Sequence, residues 1–406
     1  MLASKDTDDA EIKAATDQFL KDIHSGKIKP GQVHQAYYDA VSKKLLNGVS
    51  DGLGGNTFGA DDYKNTLKAF LDQNVYAFSG ARSLYMLQQY NSFLTDKNGN
   101  VLSESAFISK VADITDIDNL QHLKVERNDT ITKAQAAEKW QGLKSFQALE
   151  YHTTKGENVC PICGGLDGLK LATNDPRWKI IYIPNHYGCK CNIVPASTNA
   201  TLTPDDRANS LVKNAKIPPY FRRNVGIEKL IFADDHPYIE SIGTGKLREL
   251  DAEKTYGLQS VEKIYDKGDL ASYKPLADKE AANKWWSENA GSLRGSFDMK
   301  SIDGLTVNFD NGFRNHVFEQ NKDDRFLFVD QVKALLESPD EVWSNRTSDK
   351  LMNIYIKYYK DAPMALLVDV DNNVRASTIF ELKKGKKINF DGIANMRKGA
   401  LKYRSH

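Results

Sequence analysis

The feature that most constrains this 406-residue chain is a cluster of cysteines and one histidine near its middle. All four cysteines fall within thirty-two residues, as a C-x-x-C pair followed by a C-x-C pair, and a histidine lies three positions before the second pair. Two pairs of thiolates with this spacing can form a tetrahedral metal site. The pattern predicts a structural zinc ion held by Cys160, Cys163 and Cys189, with either His186 or Cys191 as the fourth ligand.

Three other uses of this cluster are compatible with the spacing. The cysteines could form disulfides, although four clustered cysteines in a long chain without a secretion signal are more typical of metal ligands. A C-P-x-C-G turn also binds iron in rubredoxin-like sites. A zinc ion with an open coordination position would make the cluster the active site of a hydrolase, but no H-E-x-x-H or similar motif accompanies the cysteines. A structural zinc is therefore favoured.

The composition predicts a folded chain of several domains. Hydrophobic residues make up 40% and aromatic residues 10% of the sequence, and the length suits two to four domains. The net charge of +1 provides no overall field that would attract nucleic acid or a membrane surface. The first residues lack the apolar core of a signal peptide, and no apolar run approaches the roughly 18 residues of a membrane helix. We expect no membrane segment.

The apolar periodicity changes along the chain and predicts four regions. The first is helical, the second joins an amphipathic helix to a short strand and the cysteines, and the third is charged, with the pattern of a connector or small helical module. In the fourth, a strand and a helix that stops at Pro339 precede three alternating runs, which predict an antiparallel meander. The predicted fold class is α+β, multidomain. The predicted regions are 1–117, 118–200, 201–298 and 299–406.

The C-terminal end carries a local excess of positive charge. Residues 381–406 contain eight lysines and arginines against Glu381 and Asp391, a local net charge of +6. Such a patch suits a polyanion, although it could also be a solvated tail that balances acidic surfaces elsewhere. The candidate nucleic-acid-binding residues are Lys383, Lys384, Lys386, Lys387 and Lys398.

The middle of the chain resembles the phage Mu F-like (MuF) minor head proteins, also called head morphogenesis proteins. The resemblance rests on LKVERNDTITKAQAAEKW, LEYHTTKGENVCPICGGLDG and IPNHYGCKCNIVPAS, in the order helix, strand, C-x-x-C, L-D-G turn and P-x-H-x-x-C-K-C. It covers roughly residues 60–200 and is strongest over 118–197. It implies a portal-associated virion protein that helps to build the phage head, with portal or capsid proteins as partners and the virion and host cytoplasm as locations.

The C-terminal region resembles the phage-type branch of the barnase, EndoU, colicin and RelE-like (BECR) nucleases. The matching pieces include FRNHVFEQ, DRFLFVDQ, the run from Pro339 to Trp343, IYIKYY, STIFEL and RKGAL, over roughly 299–404. The resemblance implies an RNase-like helix and meander fold. The residues that it implies for catalysis are His316, Arg325, Lys357, Thr378 and Arg397.

The implied reaction is metal-independent cleavage of RNA by transesterification. His316 would transfer protons, the three cations would stabilise the charged phosphorane, and Thr378 would bind the phosphate. The expected protein is thus a phage or prophage head protein with a toxin-like RNase domain, which could act on tRNA and could be held in check by masking within the chain or by an immunity protein. The alternative is a purely structural virion protein whose C-terminal domain binds nucleic acid without cleaving it.

Overall fold

The computed structural model describes residues 3–153, 160–319, 324–347, 349–385 and 387–405. Its N-terminal part is built from four long helices that stop at clear local signals. Asp62 and Ser103 cap the third and fourth helices through their side-chain oxygens, and Gly54 ends the second helix with a left-handed backbone. The helices are α1 (Ala3–His24), α2 (Gln35–Leu53), α3 (Tyr63–Asn91) and α4 (Glu104–Leu143).

Helices α2 and α4 approach closely because α2 presents glycines to its neighbour. A Cβ atom added to Gly48 would lie 3.2 Å from the Thr130 side chain. One added to Gly52 would lie 2.6 Å from Cβ of Ala134 and 2.7 Å from the backbone oxygen of Ile131. A rigid backbone atom at that distance cannot yield, so α2 requires a residue without a side chain here.

We predict that Gly52→Ala lowers the free energy of unfolding by about 1–3 kcal/mol, because the new methyl group overpacks the α2–α4 contact. The matched control is Gly142→Ala in the last turn of α4, where an added Cβ atom meets nothing within 4 Å. That change should raise stability by about 0.5–1 kcal/mol through helix propensity. Urea denaturation followed by circular dichroism measures both. Equal effects of the two substitutions would contradict the close approach.

A small antiparallel sheet follows α4 and surrounds the cysteine cluster. It consists of β1 (Ala148–His152), β2 (Lys170–Ala172) and β3 (Asn192–Pro195) in the order β2-β1-β3. The strand predicted before the first cysteine pair is β1. A short helix, α5 (Trp178–Ile181), lies between β2 and β3.

Six further helices connect this sheet to the C-terminal part of the chain. They are α6 (Asp205–Asn214), α7 (Val225–Glu228), α8 (Pro237–Ile242), α9 (Thr244–Arg248), α10 (Val261–Asp266) and α11 (Lys279–Ala290). Helix α7 packs against α4, and α8 packs against α3. Trp286 of α11 is fully buried in the core of the C-terminal sheet, although it lies in the predicted connector. The division of the chain into four regions therefore stays a prediction.

The C-terminal part is a seven-stranded mixed sheet with helices on it. The sheet order is β12-β6-β7-β8-β9-β5-β4; β5 runs parallel to β9, and the other neighbours are antiparallel. Its strands are β4 (Phe297–Lys300), β5 (Thr306–Phe309), β6 (Glu341–Thr347), β7 (Lys350–Tyr358), β8 (Pro363–Asp369), β9 (Arg375–Glu381) and β12 (Ala400–Arg404). A separate hairpin pairs β10 (Lys383–Lys384) with β11 (Lys387–Ile388).

Short helices join these strands. They are α12 (Asn311–Phe318), a 3-10 helix (Arg325–Gln331), α13 (Val332–Glu337) and α14 (Phe390–Met396). The predicted meander corresponds to β7, β8 and β9, and the predicted strand before it is β5. The α+β fold class is confirmed. The sequence analysis did not identify β4, β6 or β12, which extend the meander into the larger sheet.

The sheet is buried on both faces. On one face, Trp343, Ile354 and Leu401 share a core with the N-terminal helices. On the other face, Tyr355 and Leu366 share a core with α11, α12 and α13. Hydrogen bonds also cross the first boundary, including one of 2.5 Å from the Tyr38 hydroxyl to the Leu401 carbonyl oxygen. None of the described helices combines the length and the apolar character needed to cross a membrane.

Candidate metal centre and candidate nuclease site

Two tight turns bring the cysteines together. In the first, the backbone N–H groups of Cys163 and Gly164 both donate to the Cys160 carbonyl oxygen, at 3.1 and 2.8 Å. In the second, the N–H of Cys189 donates to the His186 carbonyl oxygen at 3.1 Å. The three-stranded sheet holds the two turns side by side, because β1 precedes the first turn and β3 begins directly after Cys191.

All five predicted ligands lie in two overlapping groups around one sulfur. Cys160, Cys163 and His186 have their ligand atoms within 4.8 Å of one another, and so do Cys163, Cys189 and Cys191. Cys163 belongs to both groups and is fully buried. The four cysteines are free thiols, without a disulfide. A single cation next to Cys163 could draw its ligands from both groups.

The atoms around Cys163 have the character of a metal site. Hydrogen bonds with the sulfurs of Cys189 and Cys191 raise the pKa of the Cys163 thiol, whereas hydrogen bonds from Cys163 and Cys191 lower the pKa of Cys189 well below its usual range. His186 uses Nδ1 for a contact of 2.9 Å with the Tyr187 carbonyl oxygen. Its Nε2 is buried and has no hydrogen-bond partner among the described residues. The Cys/His cluster could therefore hold a metal ion.

We predict that the purified chain contains about one equivalent of a divalent metal and that Cys163→Ser removes nearly all of it, since Cys163 is common to both groups. His186→Ala and Cys191→Ser, made separately, should identify the fourth ligand: one should lose the metal and the other retain it. Because metal binding at such a site contributes to folding, the variant that loses metal should also melt at a lower temperature. Lys190→Ala, between two ligands, is the control. Mass spectrometry for metals gives the stoichiometry, and full metal content in Cys163→Ser would contradict the site.

A second group of predicted residues meets beside the C-terminal sheet. Asp310 caps α12 by accepting from the N–H groups of Gly312 and Phe313, and Phe313 anchors the helix in the core. This leaves His316 half-exposed in the last turn of α12. Among the described residues, β5 pairs with β9 only at Asn308 and Arg375, so the edge of β9 beyond Arg375 is covered by α12 instead of a strand.

One nitrogen of Arg325 joins the members of this group. Nη1 of Arg325 lies 3.0 Å from Oγ1 of Thr378 on β9 and 3.4 Å from Nε2 of His316. Its guanidinium group also lies over the Phe380 ring, 5.3 Å from the centroid. Arginine can only donate hydrogen bonds. The hydrogen bond from Nη1 of Arg325 to His316 therefore requires that Nε2 of His316 carries no proton. The site combines a lone pair, a fixed positive charge and a hydroxyl group, which can accept a proton and bind an anion.

The structure does not bring Lys357 or Arg397 to this group. Thr378 pairs with Leu367, which in turn pairs with Ile354, so these residues share one face of the sheet. Lys357 lies on β7, two inter-strand spacings or about 10 Å from β9, and is a further three residues along the strand from Ile354, so its position is remote from Thr378. There its Nζ donates to the carbonyl oxygen of Ser338.

Arg397 is held at the other side of the sheet by an ion pair. Only 1% exposed, it donates from Nε and Nη2 to the carboxylate of Glu341 on β6, at 2.8 and 2.7 Å. Burial alone would lower the pKa of Arg397, but its hydrogen bonds and charge pairing with Glu341 raise it overall. Strand β6 is separated from β9 by three inter-strand distances, or about 14 Å. The ion pair and this separation keep Arg397 away from His316.

The predicted polyanion-binding lysines divide into two places. Lys383, Lys384 and Lys387 are exposed on the β10–β11 hairpin, which directly follows β9 and so extends from the strand that carries Thr378. Nζ of Lys383 lies 3.0 Å from Oε1 of Glu381. Lys384 and Lys387 are paired across the two strands of the hairpin. Lys398 instead forms an ion pair with Glu249, with 3.6 Å between Nζ and Oε2. Lys386 lies outside the described residues.

Comparison with family models identifies two matched segments. Residues 98–194 match the model described as Phage Mu protein F like protein, and they include all five candidate metal ligands. Residues 290–404 match the model described as phage-Barnase-EndoU-ColicinE5/D-RelE like nuclease2, and they include His316, Arg325 and Thr378. Both resemblances are confirmed. The chain thus combines a Mu F-like region with a nuclease-like region. Comparisons with curated proteins and with solved structures returned no match.

Sequence reasoning missed two features of the nuclease-like site. Phe380, which lies under the Arg325 guanidinium group, was part of a predicted strand, and an aromatic residue there signals only β propensity. An ion pair between Oδ2 of Asp310 and Nη1 of Arg375, 3.0 Å apart, connects the start of α12 to β9. The D-N-G run before α12 could have indicated the cap at Asp310, but no local pattern indicates its partner 65 residues away.

Proposed function

We propose that this chain is a phage or prophage head-morphogenesis protein whose C-terminal region is a metal-independent ribonuclease. The observation that carries the enzymatic part is the meeting of His316, Arg325 and Thr378 inside the nuclease-like region. His316 and Arg325 come from consecutive helical segments, and Thr378 comes from a strand 53 residues after Arg325. An imidazole beside a fixed guanidinium group and a hydroxyl group suits phosphate chemistry.

Each member of this group has a distinct role in the proposed reaction. Nε2 of His316 takes the proton from the ribose 2′-hydroxyl group, whose oxygen then forms a bond to the adjacent phosphorus atom. Arg325 and Thr378 stabilise the additional negative charge on the phosphorane oxygens. The bond between phosphorus and the 5′-oxygen breaks, a general acid protonates that oxygen, and a 2′,3′-cyclic phosphate remains. Lys357 and Arg397 are not needed for this scheme.

The exposed hairpin lysines favour a polymeric RNA substrate, such as tRNA. Lys384 and Lys387 lie beyond the end of β9, at most about 20 Å from Thr378 by the rise per residue of an extended chain. Cations at that distance would contact phosphates several nucleotides from the cleaved bond. Their contribution should weaken with salt, because binding releases counterions from the RNA backbone.

The Mu F-like region supports the structural half of the proposal. A zinc ion is the metal we propose for the cluster around Cys163, since thiolate and imidazole ligands with this spacing suit a closed tetrahedral site. When bound, the ion would clamp the two turns that border β1 and β3. We propose portal or capsid proteins as partners, the virion and then the host cytoplasm as locations, and an immunity protein where the producing cell needs protection.

We predict that the full chain cleaves tRNA or total RNA in the presence of EDTA, leaving cyclic phosphate ends. His316→Ala should lower the rate by about 10²–10⁴-fold, the usual contribution of general base catalysis. Thr378→Val, which keeps the shape but removes the hydroxyl group, should lower it less. The control is His122→Ala, on an exposed part of α4. Gel analysis of end-labelled RNA measures the rates.

Other results of the same experiment would favour other functions. A chain that binds RNA in a salt-dependent manner but does not cleave it would support the purely structural alternative. Cleavage that requires the metal of the cysteine cluster and survives His316→Ala would instead support a zinc-dependent hydrolase. Full activity of His316→Ala without any such metal requirement would contradict the proposed catalytic group.

A further inference from the structure

Strand β5 is fully paired with a neighbouring strand on one side and only partly paired on the other. On one side it pairs along its whole length with β4, which is an edge strand. On the other side it pairs with β9 at a single position, Asn308 opposite Arg375. The backbone N–H and C=O groups of a strand residue point to the same side, so Thr306 needs a partner where β9 does not reach.

A side chain from the N-terminal helices takes that position. Nδ2 of Asn65, in the first turn of α3, donates to the Thr306 carbonyl oxygen at 2.7 Å. The N–H of Thr306 in turn donates to Oδ1 of Asn65 at 3.0 Å. The amide group of Asn65 thus reproduces both hydrogen bonds that a neighbouring strand would form. Asn65 is fully buried, and Thr306 is 6% exposed.

Two further contacts from the same region reinforce this contact. Oγ1 of Thr306 donates to the Phe58 carbonyl oxygen at 2.5 Å. Nζ of Lys68, one turn after Asn65, donates to the Asp303 carbonyl oxygen at 3.3 Å. The contacting residues 58–68 lie outside both segments that match known families. The Mu F-like and nuclease-like families therefore do not account for this connection.

The connection leads directly to the candidate nuclease site. Strand β5 ends at Phe309, Asp310 caps the next helix, and α12 presents His316 in its last turn. Phe309 and Phe313 pack edge to face, with ring centroids 5.2 Å apart, which couples the strand to the helix. A shift of β5 would therefore move His316 relative to Arg325 and Thr378, which stand on other elements.

We propose that Asn65 is a positioning residue for the nuclease-like site: by completing the edge of β5, it lets helix α3 fix the helix that carries His316. The inference rests on the proposed ribonuclease function for its catalytic consequence, although the structural coupling can be measured without it. The nuclease-like region then has its active geometry while it is docked on the N-terminal helices, so the full chain is the competent form.

The test compares two buried asparagines of the same helix in the full chain. Asn65→Leu keeps the size of the side chain and removes both bonds to Thr306. Asn74→Leu is the matched control, because Asn74 is also buried in α3 and its amide group also bonds backbone atoms, those of Ile231 and Phe232, at 2.8–2.9 Å. Hydrogen exchange read by mass spectrometry reports on residues 306–318, and RNA cleavage gives kcat and KM.

Asn65→Leu should raise amide exchange over residues 306–318 by about tenfold or more, as expected for the loss of two buried hydrogen bonds. It should lower kcat by about tenfold or more and leave KM within about twofold, because positioning affects the chemical step. Asn74→Leu should leave exchange over 306–318 and kcat within about twofold of the original chain. If Asn65→Leu does not fold, Asn65→Ala replaces it in the same comparison.

Several results would overturn the proposal. Unchanged exchange over 306–318 in the Asn65 variant would show that β5 is held without Asn65. Faster exchange with an unchanged kcat would show that the contact is structural only, as would an equal loss of kcat in both variants. If the original chain does not cleave RNA, the ribonuclease proposal fails, and the exchange comparison still decides whether Asn65 holds β5 and α12.

Discussion

The structure depends on a buried polar contact between helix α3 and the C-terminal sheet. The carboxylate of Asp303 accepts from Nζ of Lys402 and, at 2.9 Å, from the hydroxyl group of Tyr355, while Lys68 of α3 pairs with Asp72 and reaches the Asp303 backbone. Burial alone would raise the pKa of Asp303, but Lys402 lowers it overall, so the group stays ionised. Buried charges persist in this way only when each has a partner. Groups from both ends of the chain are therefore part of one network.

This contact bears on whether the Mu F-like and nuclease-like regions are separately folded domains. Two matched segments could be two separately folded domains joined by a linker. Here the face of the sheet that carries Trp343 and Leu401 shares a hydrophobic core with the N-terminal helices, and α11, from the predicted connector, is built into the opposite face. Any partner that binds the Mu F-like region would thus also hold the nuclease-like region in a fixed orientation.

Much of the local structure could be predicted because its signals are local. The spacing of the cysteines predicted that they would meet, and the alternating runs predicted β7, β8 and β9. The resemblance led to His316, Arg325 and Thr378, which do converge. Lys357 and Arg397 do not join them, because the face to which a strand residue points and the partner of an arginine depend on register and on distant residues. Asn65 had no signal in the sequence, since a polar residue in the first turn of a helix is ordinary and its partner is 241 residues away.

The most direct test of a single shared core is to cut the chain between its two parts. A protease site can be placed in the exposed loop 267–269, between α10 and α11, and cleaved in the folded protein, so that α11 stays with the C-terminal sheet. The account predicts that the two pieces stay together at the elution volume of the uncut chain in size-exclusion chromatography, and separate only when denaturant unfolds both. Separation of two folded pieces in native buffer would contradict it.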